Sequence, residues 1–561
     1  MEPQRNIIVR YKRLTAALIL AFSTAAAQPE RNSSISGQVV NATTAAPLNR
    51  ATVEIVLEGR PDVRGMAPTS ADGAFLLRAL PAGRYLINVS KPGYADTGYG
   101  ARYPGAPGQV ITLGANENKS GLIVRLARLG SIGGTILGTA GMIARGSYVS
   151  AFRKEFPRGQ PGWVQAGGAT IDDRGQYRIS NLRPGRYIVA AYQVTMPAIR
   201  MGPPRPGLES EQKAVPALTY YPATVIQQEA VPLDIGSGDV RRDVDISIQE
   251  MAPVRVSIGI QLPPGAPTQL SQPETAPRRG MLRAPVWIRG AVGGPGAPMH
   301  AFTATMDGQV EYQPINPGRY ILASSLEVDG KCYGARKEIT LSGGSVDTVL
   351  AYSPCVQLTG HLRITGPGAG HLSGRQVVLN SGENLPLDRK SGEVQADGSF
   401  VIKDVPPGIW DISPGAIPMG GYLKSMMLGT LDVLTKDMVI APETKDSLEI
   451  VISTRAAQLR GHVENGFATT VVAAPQGELA SVQSLYRATG VDENGDFEFR
   501  NLAPSHYRIY AFESVEPGAW RDPEFLKNYA GLGTPVELAE GRGPEIKVTA
   551  IPGAPAERRS Q

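Results

Sequence analysis

The stretch DGAFLLRALPAGRY, residues 72–85, decides how this chain is read, because it returns four more times. The copies are DRGQYRISNLRPGRY from Asp173, DGQVEYQPINPGRY from Asp307, DGSFVIKDVPPGIW from Asp397 and NGDFEFRNLAPSHY from Asn494. Anchored on Gly73, Gly175, Gly308, Gly398 and Gly495, each copy has Gly or Ser ten residues on and an aromatic twelve residues on. Those aromatics are Tyr85, Tyr187, Tyr320, Trp410 and Tyr507. No copy carries an insertion between these points. Successive anchors lie 102, 133, 90 and 97 residues apart, the size of one small domain each.

Within the phrase, Phe75 and Leu77 alternate, then Leu80 and a Pro-x-Gly turn, then Tyr85, Ile87 and Val89 alternate again. Period two is strand spacing with one buried face. Asp-Gly before such a run is a hairpin signal, since Gly accepts the positive φ of a tight turn. The spacing therefore predicts a strand–turn–strand hairpin in each copy, with the aromatic facing the core. Ahead of it lies a first-strand phrase: SISGQVV (34–40), SIGGTIL (131–137), VQLTGHL (356–362) and AQLRGHV (457–463). Behind it lies a closing pair of strands, such as VITLGANENKSGLIVRL (110–126). Six to seven short strands per hundred residues is the count of a β-sandwich. The fold class that follows is all-β, a tandem array of about five sandwich domains.

Residues Arg10, Lys12 and Arg13 precede the apolar run LTAALILAF (14–22) and a small-residue site near Ala27. That is the layout of a cleaved signal peptide over 1–27, and the run is too short for a membrane span. The mature chain is expected to be exported, with no transmembrane segment, to the periplasm, cell surface or extracellular space. The formal charge of +5 falls to +2 once Arg5, Arg10, Lys12, Arg13 and Glu2 are removed. A nearly neutral chain of this length offers no nucleic-acid stripe. Two cysteines, Cys332 and Cys355, both fall in the third unit, and an oxidising compartment favours a bond between them.

The combination DGxFxxxxLPxGxY, with the first-strand phrase and Lys91-Pro-Gly-Tyr94 after it, resembles the carboxypeptidase regulatory-like domain. That family has a transthyretin-like (prealbumin-like, Ig-like) sandwich, akin in fold to adhesin B-type repeats and starch-binding-like modules. The resemblance runs over 34–552 and is weakest in the third unit, where Val310 replaces the aromatic after the turn. Domains are expected at 28–129, 130–251, 252–354 (degenerate), 355–455 and 456–552, with a polar tail at 553–561. Pro-rich insertions at 195–217 and 261–284 read as mobile surface loops. Asp522, Pro523 and Gly531 bracket one predicted short helix.

The family name invites a search for peptidase chemistry. A zinc carboxypeptidase needs His and Glu close together around an open metal position. The five histidines, His300, His361, His371, His462 and His506, show no such spacing. His361 and His462 hold equivalent first-strand positions, which marks them as surface or packing residues. The run DENGD (492–496) is read as a turn rather than a calcium loop, and no first strand offers a lysine for an isopeptide bond. No catalytic residue, metal or cofactor is expected. The chain reads as an exported non-catalytic protein with a structural, adhesive or binding role at the cell envelope. Two alternatives stay open: a carbohydrate-binding protein, or an accessory subunit of a separately encoded peptidase or outer-membrane transporter. Contact with a polysaccharide or envelope protein, if made, is expected at aromatics outside the repeat phrase, namely Trp163, Tyr220 and Tyr221 in the second unit and Trp520 in the fifth. Trp520 is expected to be exposed, and covering a domain junction is the competing role for all four.

Overall fold

A computed structural model describes residues 33–552 apart from 194–213, 267–282, 291–298, 465–469 and shorter stretches. The signal segment, the tail and most of both Pro-rich insertions lie outside the described residues. Five separate apolar cores follow one another along the chain. The first runs from Ile35 to Leu126 and the fifth from Ala457 to Val548. Each core is the space between two sheets.

In the first unit Ser33–Asn41 is the centre of a three-stranded sheet. It pairs antiparallel with Ala74–Leu80 and parallel with Asn118–Leu126. The second sheet runs Arg60–Pro68, Thr52–Leu57, Gly83–Ser90 and Thr97–Gly98, with Ile111–Leu113 also against Gly83–Ser90. Units two, four and five repeat the antiparallel and parallel pairing of the first strand. The third unit keeps it too: Val254–Gln261 lies between Val310–Gln313 and Ser345–Ala351. There the two sheets also touch through one bridge, Gly259 with Thr305. Sequence degeneracy in this unit has not changed its topology.

The repeat phrase is not a hairpin. Ala74–Leu80 belongs to one sheet and Gly83–Ser90 to the other, so the chain crosses the sandwich at Pro81 and Ala82. The Asp-Gly turn before it crosses as well, from Arg60–Pro68 to Ala74–Leu80. Alternation at period two is common to hairpins and to such corners, which is why the sequence pattern did not separate them. What selects the corner is the aromatic. The Tyr85 ring is fully buried, and its hydroxyl donates to the Pro81 carbonyl four residues back at 2.7 Å. Tyr187 does the same to Arg183 at 2.6 Å and Tyr320 to Asn316 at 2.7 Å. In the fourth unit Trp410 replaces Tyr and keeps the bond, its indole Nε1 donating to Pro406 at 2.9 Å. One buried ring thus fills the space between sheets and ties the crossing strand to itself.

Two further devices recur. In four units the strand before the corner carries a bulge: Ile35 pairs with Leu77 but Ser33 with Leu80, and the same slip occurs at Leu182, Val405 and Leu502. The extra residue bends the strand toward the opposite sheet. Ala79, Asn181 and Asp404 take left-handed backbone there, with φ of 57°, 61° and 54°. The turn glycines Gly73, Gly175, Gly398 and Gly495 also have positive φ, and their carbonyls accept the first strand's N–H of Val39, Ile136, Leu362 and Val463. A Cβ on Gly73 would fall 2.6 Å from the Val39 carbonyl oxygen, so only glycine fits.

The array closes on itself. Phe156, at the end of the second unit's strand Ser147–Glu155, sits among Phe512, Val515, Ala519 and Trp520 of the fifth unit. Lys154 pairs with Glu516 at 3.6 Å beside it. The first unit also meets the fifth: Lys119 Nζ lies 2.5 Å from Glu493, and Val110 bridges Asp492. Units three and four complete the circuit. Arg336 grips Glu383 across their junction with a bidentate pair at 2.9 and 2.5 Å. Tyr422 reaches Glu540 at 3.2 Å between units four and five.

Candidate functional site

The aromatics expected at ligand sites are placed at junctions and cores. Trp520 is buried, only 9% exposed, contrary to the expectation of exposure. Gly518 with positive φ and a single 3-10 turn, Ala519–Arg521, fold it back onto the outer face of the fifth unit's sheet. There it lies 6.5 Å from the Tyr486 ring, with the Arg521 guanidinium 4.8 Å over its own ring. Phe156 of the second unit closes the same apolar cluster. Burying so large a ring against Tyr486 and Phe156 is worth more than leaving it in water.

Below it is the predicted helix, Pro523–Lys527, the one α-helix among the described residues. Asp522 caps it by accepting the Glu524 N–H at 2.9 Å. Phe525 and Tyr529 face Phe512 and each other, so this face packs down rather than out.

Tyr220 is buried too, in a cluster with Phe152, Ile188 and Ala190, and Trp163 packs against that cluster half-buried. Burial raises the Tyr220 hydroxyl's pKa above its ordinary value. Tyr221 leans on the second unit's own core and precedes a cis bond to Pro222. Neither Tyr220 nor Trp520 is open to a ligand in the closed arrangement. The structure instead exposes an aromatic pair that the sequence reading missed: Tyr148 and Tyr192, with centroids 5.6 Å apart on neighbouring strands. The signal was available, since Tyr148 lies off the phase of Val149 and Ala151, and Tyr192 off that of Tyr187, Val189 and Ala191.

Cys332 and Cys355 are joined, with Cα atoms 5.3 Å apart. Cys355 immediately precedes the fourth unit's first strand, and Cys332 Sγ lies 3.8 Å from the Asp404 carbonyl of that unit. The bond is therefore not internal to the third unit, contrary to expectation, but fixes the linker where the third unit meets the fourth.

Polar side chains near the turns are engaged in holding them. Asp492 Oδ1 accepts the N–H of Asn494 at 2.9 Å and Asp496 at 3.0 Å. Asp172 and Asp397 accept from their own turns in the same way. Hydrogen bonds from Ser399 hold the Asp397 carboxyl below its usual pKa. His462 Nδ1 lies 2.8 Å from Asp496, and His361 occupies the matching place beside Gly398. Among the described residues no three His, Cys, Asp or Glu side chains gather as metal ligands. A groove on the first unit, lined by Thr52, Glu54, Met66, Asn88 and Asp96, is open to solvent. No helix among the described residues is long and apolar enough to cross a membrane.

Residues 34–125 match the carboxypeptidase regulatory-like domain family, so the first unit is a domain of that kind. The match stops at the first unit, although the corner and turn devices recur beyond it. No curated protein sequence matches the chain. Among solved structures, the minor pilin GBS52 of Streptococcus agalactiae is 12% identical, with 39% of this chain and 96% of that chain covered at a TM-score of 0.22. The shaft pilin SpaA of Lactobacillus rhamnosus GG is 12% identical, covering 40% and 100%, with a TM-score of 0.19. The major pilin subunit BcpA of Bacillus cereus is 13% identical, covering 58% and 99%, with a TM-score of 0.14. Overlaps this loose carry no functional weight.

Proposed function

We propose that this chain is an exported, non-catalytic scaffold with a structural, adhesive or binding role at the cell envelope. The observation that carries the reading is the repetition itself. An active site would be a unique departure from the repeat, whereas Asp172 matches Asp492, Asp72 matches Asp397, and the corner aromatics and two of the histidines also hold equivalent places in several units. The fold alone licenses no activity. The accompanying expectations are export through residues 1–27, domains bounded near 129, 251, 354 and 455, and a protein or polysaccharide partner. Affinity capture from the native envelope with the purified protein tests the reading. A specific captured partner supports it, and turnover of a peptide or glycan panel by the purified chain refutes it.

One feature favours the carbohydrate-binding alternative, the paired rings of Tyr148 and Tyr192, since Tyr192 is 37% exposed. Stacked or tilted aromatic faces bury large area at low entropic cost and suit sugar rings. Glycan-array binding that disappears in Tyr192→Ala, with the fold intact, would move the assignment to that alternative.

A further inference from the structure

The closing contact is heterologous: a surface of units one and two meets a different surface of unit five. Such a contact can be satisfied within one chain, or equally well by unit five of another copy. Its charged parts are weak. Lys119 with Glu493 and Lys154 with Glu516 are ion pairs with partly exposed carboxylates, which hold modestly and are screened by salt. Unit one adds the isolated bridge of Val110 with Asp492, the Gly108 backbone packed on Gly490, and Tyr103 beside Thr470 and Val515. The apolar part contributed by unit two is a single ring, Phe156. What keeps such a contact closed is the high effective concentration of two surfaces on one chain.

The junctions differ in how firmly they are held. Between units three and four lie the Cys332–Cys355 bond, the Arg336–Glu383 pair and Arg289 donating to the Glu383 carbonyl at 2.9 Å. Between four and five lies an apolar patch of Tyr422, Ala456, Val482, Leu485 and Ala503, with Glu540 taking Tyr422 and Lys424. Between two and three, Asn316 donates to the Val225 carbonyl at 2.8 Å and loosely to Leu218 at 3.5 Å. Its own Oδ1 is buried with no partner among the described residues. A buried acceptor left unpaired gains water when the junction parts.

The geometry points to unit exchange between copies: units three to five swing as one block about the two–three junction, and unit five docks on units one and two of a second copy of this chain. The exchanged dimer makes the same contacts as the closed monomer, so the balance between them is set by concentration. Rising salt loosens the latch and speeds the exchange.

The test uses the unmodified protein. Equal amounts of unlabelled and 15N-labelled protein are mixed, incubated at several concentrations, and coupled with a water-soluble carbodiimide, which turns a Lys–Glu ion pair into an amide with loss of water. Mass spectrometry then reads the Lys119–Glu493 cross-linked peptides. Exchange predicts mixed-isotope pairs that grow with incubation time, concentration and salt during incubation, toward about half of all Lys119–Glu493 pairs where dimers dominate. Over the same period the Lys424–Glu540 pair stays same-isotope, because units four and five move together. Same-isotope Lys119–Glu493 pairs only, at every concentration, would overturn the exchange. Absence of that cross-link would overturn the latch, and mixed Lys424–Glu540 pairs would overturn the two–three hinge.

Discussion

Replacing Tyr187 and Tyr507 by Phe in separate proteins discriminates the corner hydrogen bond from mere ring burial. Both rings are buried, at 0% and 1% exposure, and burial raises both hydroxyls to a pKa of about 12. They differ in one respect. The Tyr187 hydroxyl donates to Arg183 at 2.6 Å, whereas the buried Tyr507 hydroxyl makes no hydrogen bond among the described residues. Tyr187→Phe keeps the ring and removes a made hydrogen bond, which costs about 1 kcal/mol. Tyr507→Phe removes a desolvated hydroxyl that gains nothing, so it is neutral or stabilises by up to about 1 kcal/mol. Peptide-resolved amide hydrogen exchange is the right assay, because five cores need not open together. A loss of about 1 kcal/mol corresponds to roughly fivefold faster exchange through the opening equilibrium. That acceleration is expected over Gly185–Gln193 in Tyr187→Phe, with unchanged or slower exchange over Ser505–Phe512 in Tyr507→Phe. Equal acceleration by the two substitutions would refute the reasoning, as would none from Tyr187→Phe.

Gly360→Ala should destabilise the fourth unit by about 1–3 kcal/mol, because its Cβ would sit 2.1 Å from Phe400 and 2.5 Å from the Leu448 carbonyl. Calorimetry that leaves the fourth unit's transition unmoved would contradict that crowding. Ala79→Asn should stabilise the first unit by up to about 1 kcal/mol, since Asn tolerates the left-handed backbone better than Ala. Its side chain is exposed, so a loss of stability would mean that the bulge is misread. The Cys332–Cys355 bond predicts one linked peptide pair and no free thiol in a non-reduced digest of exported protein. The Asp397 carboxyl has a lowered pKa in the folded chain, chiefly through the Ser399 hydroxyl. Its contribution is present above the ordinary carboxylate pKa and is lost as pH falls through the lowered folded value. Asp397→Asn should therefore flatten that part of the stability–pH curve, and an unchanged curve would remove Asp397 from the account.

Fold class was legible because the phrase from Asp72 to Tyr85 constrains one residue at a time. Gly73 must be glycine, Phe75 and Leu77 must face inward, and Tyr85 must reach back four residues. The substitution of Trp410 is intelligible on the same ground, since its indole N–H can make the bond that a Phe could not. Which sheet each strand joins was not legible. A corner and a hairpin both need a turn between alternating runs, and what separates them, the bulge before Leu80 and the bond from Tyr85 back to Pro81, leaves no mark on the alternation. The missed signal was the first-strand glycine. Gly37, Gly360 and Gly461 lie opposite Phe75, Phe400 and Phe497, where a Cβ would strike either the last strand or the ring. Read together, glycine on one strand and aromatic on another specify the pairing that alternation leaves open.

The aromatics outside the repeat posed a harder problem, and its source is physical. An exposed ring that binds a ligand and a buried ring that seals a junction obey the same sequence rule, since both stand apart from the core period. Trp520 is sealed by Phe156, a residue some 360 positions away and in no repeat phrase. Nothing local to RKEFPRG (153–159) distinguishes Phe156 from a stray surface ring, because single exposed apolar residues are ordinary. Its role depends on the chain turning through five units and returning, and that path is the sum of four junctions. Each junction rests on a few side chains, Asn316, Glu383 and Glu540 among them, that carry no period at all. The repeat specifies the units, while non-repeating residues specify their arrangement. A surface for a partner that recognises the whole molecule is therefore to be sought in the non-repeating residues, where one unit differs from the next.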